Sequence, residues 1–191
     1  MNSAHNRNVI HIYGASGSGT TTLGRYISEQ CNGVFLDTDD YFWRPTDPPY
    51  TAKRDRHERI ERMKEDIAGA DVAVISGSLV DWGDELIPYF ALAVRLVTPK
   101  DLRIARLIER EKGQFGSRVE RGGDLYQNHC EFLRFAERYD DGGLDMRSRA
   151  KHDEWQTLLS CRLLILDGSQ TLRHNWEKIL PFVEHLVSER D

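Results

Sequence analysis

Gly14-Ala15-Ser16-Gly17-Ser18-Gly19-Thr20-Thr21 follows the β-rich run Asn8 to Tyr13 and leads into a helical pattern over Thr20 to Gln30. Strand, glycine-dense turn and helix in that order make a site for an anion. Glycines let the backbone come close, consecutive N–H groups point inward, and the helix N-terminus favours negative charge. The stretch fits the Gly-x4-Gly-Lys-Ser/Thr template of phosphate-cradling loops at every fixed position but the lysine, where Thr20 stands. Thr21 takes the place of the magnesium-ligand hydroxyl. Gly14, Ala15, Ser16, Gly17, Ser18, Gly19, Thr20, Thr21 and Thr22 are therefore the expected contacts to nucleotide phosphates. A turn that uses its glycines only for tight packing is the alternative, and the strand before, the helix after and Thr21 in place all favour phosphate.

Outward from this loop, short apolar runs at Val34 to Leu36, Val72 to Ser76, Leu92 to Val97 and Leu163 to Leu166 read as further strands of a doubly covered parallel sheet. Helical patterns separate them: Ile60, Met63 and Ile67 fall on one face, as do Leu102, Ala105 and Ile108 with Leu107 alongside. Alternation of this kind predicts an α/β sandwich with a five-stranded parallel sheet and helices on both sides. At 191 residues the chain is expected to form one domain, 1–191. The longest apolar run, Tyr89 to Val94, has six residues, against about 18 to 20 for a membrane helix. Met1 to Asn8 lacks the apolar core of a secretory signal, and a cytoplasmic protein is expected. Cys31, Cys130 and Cys161 are widely spaced, which suggests neither a disulfide framework nor a zinc site. A net charge of -5 disfavours nucleic acid and anionic membrane as partners and leaves a small polar substrate. Oligomeric state is not legible.

Two intervals depart from the alternation. Asp37 to Tyr50, with Pro45, Pro48 and Pro49, reads as a shaped loop within an acceptor-binding insertion of about 38–70. Its carboxylates Asp37, Asp39 and Asp40 lie at the carboxyl edge of the sheet, where magnesium would offset their repulsion and one could accept a hydroxyl proton. An acidic loop that caps a helix is the bland alternative. Trp43, Arg44, Arg54, Ser76, Gly77 and Ser78 are further candidates for the acceptor site. Val72 to Ser76 ends without an acid, which leaves Thr21 and Asp37 as the expected metal ligands. The second interval, Gly113 to Asp124, carries four glycines with Arg118 and Arg121 and reads as a mobile insertion, part of a lid of about 112–149. Arginines there are the reserve for the missing lysine, since planar guanidiniums suit phosphate and loops can close over a ligand.

These features resemble the P-loop kinase superfamily, in its adenylate-kinase-like and small-metabolite branches such as shikimate and gluconate kinases. Val9 to Thr22 resembles the first strand and Walker A loop, and Leu36-Asp37-Thr38-Asp39 resembles the Asp-x-Asp of metabolite kinases. Leu92 to Arg110 is similar to the element leading into the lid, with Gly113 to Arg149 as the lid itself. Leu166-Asp167-Gly168-Ser169 resembles the turn near the adenine. Thr20 is similar to the Gly-Ser-Gly-Thr-Thr variant of some cytidylate kinases, and Gly122-Gly123-Asp124 and Asp145 to Arg149 resemble bacterial adenylate-kinase-like proteins of unsettled substrate. The usual Asp-Gly-Phe-Pro-Arg of adenylate kinases is replaced by Ser76 to Val80. The resemblance implies an ATP- or GTP-dependent phosphotransferase using Mg2+ on a small-molecule acceptor, a nucleoside monophosphate or a hydroxylated metabolite. In it the first Asp, Asp37, assists magnesium and the second, Asp39, contacts the acceptor hydroxyl. Asp39, Arg118, Arg121, Arg147 and Arg149 are the implied catalytic set. The rival expectation, motivated by Thr20, is a nucleotide-binding regulatory module or slow NTPase with no acceptor.

Overall fold

The computed structural model describes residues 7–188, so most of the polar stretch Met1 to Asn8 lies outside the described residues. Along the chain run β1 (Val9–Gly14), α1 (Thr20–Gln30), β2 (Val34–Asp37), α2 (Thr38–Phe42), α3 (Arg56–Ala68), β3 (Ala73–Ser76), β4 (Phe90–Val97), α4 (Lys100–Phe115), α5 (Tyr126–Glu137), α6 (Arg149–Trp155), β5 (Arg162–Asp167) and α7 (Leu172–Ser188). Short 3-10 turns occupy Asp84–Tyr89, Gly116–Val119 and Gln156–Leu158.

β1 is buried along its whole length, as the middle strand of a sheet covered on both faces must be. It pairs in parallel with β3 and β4, and the order across the sheet is β2-β3-β1-β4-β5. The outer ladders, β2 with β3 and β4 with β5, are parallel as well. Alternation along β1 divides the core. Ile10 and Ile12 pack with Leu23 and Ile27 of α1 and Ile179 and Val183 of α7. On the other face Val9 and Tyr13 meet Ile60, Met63 and Ile67 of α3 and Trp155 of α6. The expected five-stranded α/β sandwich is the fold.

Three local expectations change. Asp37 to Tyr50 is not loop throughout: the Asp37 carboxylate accepts from the Asp39 N–H at 3.1 Å and caps the turn of helix α2. The prolines all come later, at 45 and beyond, and leave that turn free to form. Gly113 belongs to α4, which runs on to Phe115. The buried face of α4 carries Arg103, Leu107 and Glu111, while Ala105 and Ile108 are exposed.

The polar members of that face are buried because the chain returning from α5 supplies partners. Arg103, 1% exposed, donates to the Thr98 carbonyl at 3.1 Å and the Ala136 carbonyl at 3.3 Å. It also pairs with Asp140 and lies over the Tyr139 ring at 5.2 Å. Glu111 likewise pairs with His129 of α5. Arg103 thus clamps the α5–α6 connection onto the end of β4. Arg103→Met keeps bulk but leaves the Thr98 and Ala136 carbonyls without this donor and Asp140 with Arg149 alone. We expect a loss of about 1–3 kcal/mol in urea unfolding, and an unchanged midpoint would show that the clamp carries no stability.

Candidate functional site

The glycine loop between β1 and α1 turns through two left-handed residues, Gly17 (φ 80°) and Gly19 (φ 99°), a conformation that side chains disfavour. The Ser18 N–H closes the turn on the Ala15 carbonyl at 3.0 Å. Thr98 at the end of β4 donates to the Ser18 carbonyl at 3.1 Å, and Arg106 donates to the Gly168 carbonyl at 3.1 Å, so neighbouring loops brace this one. Gly19 holds the N-cap position of α1, and among the described residues no side chain caps that helix. Its first-turn N–H groups are therefore left for an external acceptor.

Opposite the loop, Asp37 at the end of β2 accepts from the Thr21 hydroxyl at 3.3 Å while capping α2. Burial raises the pKa of Asp37, and the negative charges of Asp39 and Asp40 add to the rise, partly offset by its hydrogen bonds. A cation at this corner would relieve both effects. Among the described residues no group of three or more His, Cys, Asp or Glu side chains gathers as a metal cage. A hydroxyl and one carboxylate suit magnesium, which commonly keeps waters and takes its remaining ligands from phosphate. The donor set fits that ion.

Arg147 closes the third side. Its guanidinium donates to the Ser16 hydroxyl at 2.8 Å and lies 5.5 Å from the centre of the Phe135 ring. Burial lowers its pKa, and attraction to Asp39 opposes that. An arginine thus stands against the phosphate loop, reaching it from the segment before α6 rather than from α1. Ser78, just past β3, makes a 3.1 Å hydrogen bond with His152 Nε2, whose Nδ1 meets the Tyr139 hydroxyl at 2.8 Å. Gly77 is pressed against α2: a Cβ there would stand 1.9 Å from Thr38 Oγ1. The Ser76 hydroxyl is buried with no hydrogen-bond partner among the described residues.

The other candidates lie elsewhere or are already engaged. Arg118 forks onto Asp124 at 3.0 and 2.7 Å and reaches Asp47 at 2.7 Å, tying the two insertions together at their surface. Arg121 is exposed. Arg149 pairs with Asp140 at 2.5 Å and lines a groove with Val97, Lys100 and Ile165 at the ends of β4 and β5. Arg44 pairs with Glu58 at 2.6 Å, and Arg54 donates to the Trp43 carbonyl at 2.6 Å. These two hold the Trp43 loop in place, where Trp43 meets Phe42 at 4.8 Å and Tyr50 at 6.0 Å. The structure therefore gathers Ser16, Thr21, Asp37, Asp39 and Arg147, leaves Arg118 and Arg121 at the surface, and sets Arg149 in a crevice that Ala15 of the loop also lines. His152 and Tyr139 were not among the residues the sequence singled out for the site. Their partners lie 74 and 13 residues away, beyond any periodic signal.

No family model matches the chain. Over 174 residues it is 37% identical to the uncharacterized protein YqaC of Bacillus subtilis (strain 168), covering 91% of this chain and 96% of that protein. The chain belongs to the YqaC family. Among solved structures, shikimate kinase from Bacteroides thetaiotaomicron superposes with a TM-score of 0.56 at 17% identity, covering 92% of this chain and 98% of that one. Shikimate kinase from Acinetobacter baumannii, in complex with shikimate, gives 0.55 at 18% identity over 93% of both chains. The fold of this YqaC relative is thus the P-loop kinase fold. Among the described residues no helix is long and apolar enough to cross a membrane.

Two buried histidines in this YqaC relative make a thermodynamic prediction. Burial lowers the pKa of His11 from 6.5 to about 4, and burial together with the charges of Arg147 and Arg95 lowers that of His152 to about 3. The unfolded chain therefore takes up protons first on acidification. Stability is intact above about pH 6.5 and falls below it, by up to about 1.4 kcal/mol per pH unit for each histidine. His11→Gln keeps a donor for the Gly77 carbonyl and should reduce that slope in urea titrations between pH 7.5 and 5. A slope equal to wild type would mean that His11 is not buried in its neutral form.

Proposed function

We propose that the protein is an ATP-dependent phosphotransferase of the nucleotide-kinase-like class, acting on a small-molecule acceptor. The observation that carries this reading is the Arg147 guanidinium at the hydroxyl of Ser16. It returns to a phosphate loop without a lysine the positive charge that transfer to or from a nucleotide requires.

In this reading the backbone N–H groups of residues 15–20 hold the phosphates of ATP or GTP, with the α1 N-terminus behind them. Thr21 and Asp37 would hold magnesium, which when bound neutralises charge on the phosphate oxygens. Asp39, exposed beside Arg147, orients the acceptor hydroxyl and takes its proton. Arg147 stabilises charge developing on the transferred group. Trp43 and Ser78 flank the acceptor, and Arg118 acts by holding the two insertions together over it. Arg121, at the surface, and Arg149, paired with Asp140 beside Ala15, are assigned no step in this reading. The ATPase reading without an acceptor retains one supporting observation, Thr20 itself.

Incubation with Mg·ATP and a metabolite panel separates the two readings. ADP release that depends on one class of acceptor supports transfer, and acceptor-independent hydrolysis supports the slow NTPase. Gly19→Asp places bulk and negative charge where phosphate approaches, and calorimetry should show no nucleotide binding in the folded variant. Unchanged affinity would remove the loop from the account. Asp39→Asn should keep Mg·ATP affinity and lose ~10²-fold or more in transfer, the scale of a missing general base. Transfer at the wild-type rate would favour an acceptor whose own phosphate oxygen is the nucleophile.

A further inference from the structure

Beside the phosphate loop, the end of β4 faces the chain returning from α5 across a small crevice. Its lining includes Ala15 of the loop, Arg95 of β4, Arg103 of α4, Tyr139 and Asp140 after α5, and Arg149 at the start of α6. The space inside is about 20 Å³. That is room for one water-sized body and too little for a phosphate group.

Charge around this crevice does not balance. Arg103 and Arg149 both pair with Asp140, so two guanidiniums share one carboxylate. Arg95 has its own partner in Asp153. Three arginines against Asp140 and Asp153 leave one positive charge over. Arg103 is 1% and Arg95 5% exposed, so little water reaches them to screen it. Lys100, Asp141 and Asp167 belong to the adjoining groove and are exposed, where solvent screens them from the buried pairs.

A hydrogen-bond donor is left over as well. Arg95 donates to Asp153, to Gln156 at 2.9 Å and to the Arg149 carbonyl at 3.4 Å, yet its Nε–H is buried with no acceptor among the described residues. A guanidinium only donates. An unpaired buried donor and an unbalanced buried charge are both costly. A water would relieve the first; an anion relieves both.

We propose that the crevice is a halide site. One chloride-sized anion accepts from the Arg95 Nε–H, neutralises the charge that Asp140 leaves over on Arg103 and Arg149, and docks the segment 139–149 onto β4. Arg147, which reaches Ser16, lies in that segment, so the ion steadies the cation at the phosphate loop. The site does not depend on the phosphotransferase reading and stands whether or not the protein transfers phosphate.

Bromide is the first probe. Crystals grown with sodium bromide should show an anomalous peak in the crevice within hydrogen-bond reach of Arg95 Nε; a water there with no anomalous signal overturns the proposal. Urea unfolding at fixed ionic strength is the second measurement, exchanging sodium methanesulfonate, whose anion is too large to enter, for sodium chloride or bromide. Both halides should raise the folding constant in proportion to 1 + [halide]/Kd. Equal stability in the three salts would make any bromide peak an adventitious ion only, which overturns the proposal too. Arg149→Gln removes the surplus charge while Arg103 keeps its hold on Asp140, and should weaken halide affinity about tenfold or more. Arg149→Lys retains the charge and should retain the response. A response undiminished in Arg149→Gln, or lost equally in Arg149→Lys, would overturn the charge argument and take the site out of the crevice.

Discussion

The 2.8 Å hydrogen bond from Arg147 to Ser16 joins two elements that are 131 residues apart in the chain. One is the glycine loop; the other is the segment that returns to the sheet after α5. In the common version of this loop the cation is built into the start of the following helix. Here Thr20 leaves α1 without it, and the charge arrives from across the cleft. A guanidinium is planar and can address two phosphate oxygens at once, where a lysine acts as a point charge. The cost is dependence on tertiary structure: the charge is in place only while the α5–α6 connection is docked. Arg103, clamping Asp140 and the Ala136 carbonyl, and Ser148, capping α6 through the Lys151 N–H, are the contacts that dock it.

The sheet explains why the remaining groups meet at this point. β1 and β3 are adjacent and parallel, so Gly14 and Ser76 end at the same edge, and β2 brings Asp37 alongside Ser76. Thr21 of α1 then reaches Asp37, and Asp39 follows two residues on, in the first turn of α2. A parallel sheet sends every strand-to-helix loop to one edge. That edge gathers three classes of group: backbone donors from the glycine loop, carboxylates from the end of β2, and a cation from the segment before α6. Each compensates another. Asp39 attracts Arg147, and burial strains the ionised form of Asp37 until a cation stands near it.

Local signals carried much of this. Helix α1 starts and ends where its apolar spacing and the preceding glycines placed it, at Thr20 and Gln30, because both boundary signals are contained in the local sequence. The strands were legible as apolar runs, with ends displaced by a residue or two where charged residues such as Arg162 and Asp167 extend β5. The buried face of α4 was misread for a physical reason. Arg103 and Glu111 look like surface residues until Asp140 and His129 arrive from elsewhere. The arginines show the same limit: nothing local distinguishes Arg147, at the loop, from Arg149, paired with Asp140, or Arg118, held by Asp47 and Asp124. Charge count was visible in the sequence; charge placement was not.

The account turns on whether Arg147 supplies the charge that Thr20 lacks, and a calorimetric exchange of the two measures it. Arg147→Met should weaken Mg·ATP binding about tenfold or more, and adding Thr20→Lys to that variant should recover most of the loss by returning a cation to the loop itself. If Arg147→Met binds Mg·ATP as the wild type does, or if Thr20→Lys restores nothing, the guanidinium at Ser16 is structural and the central claim fails.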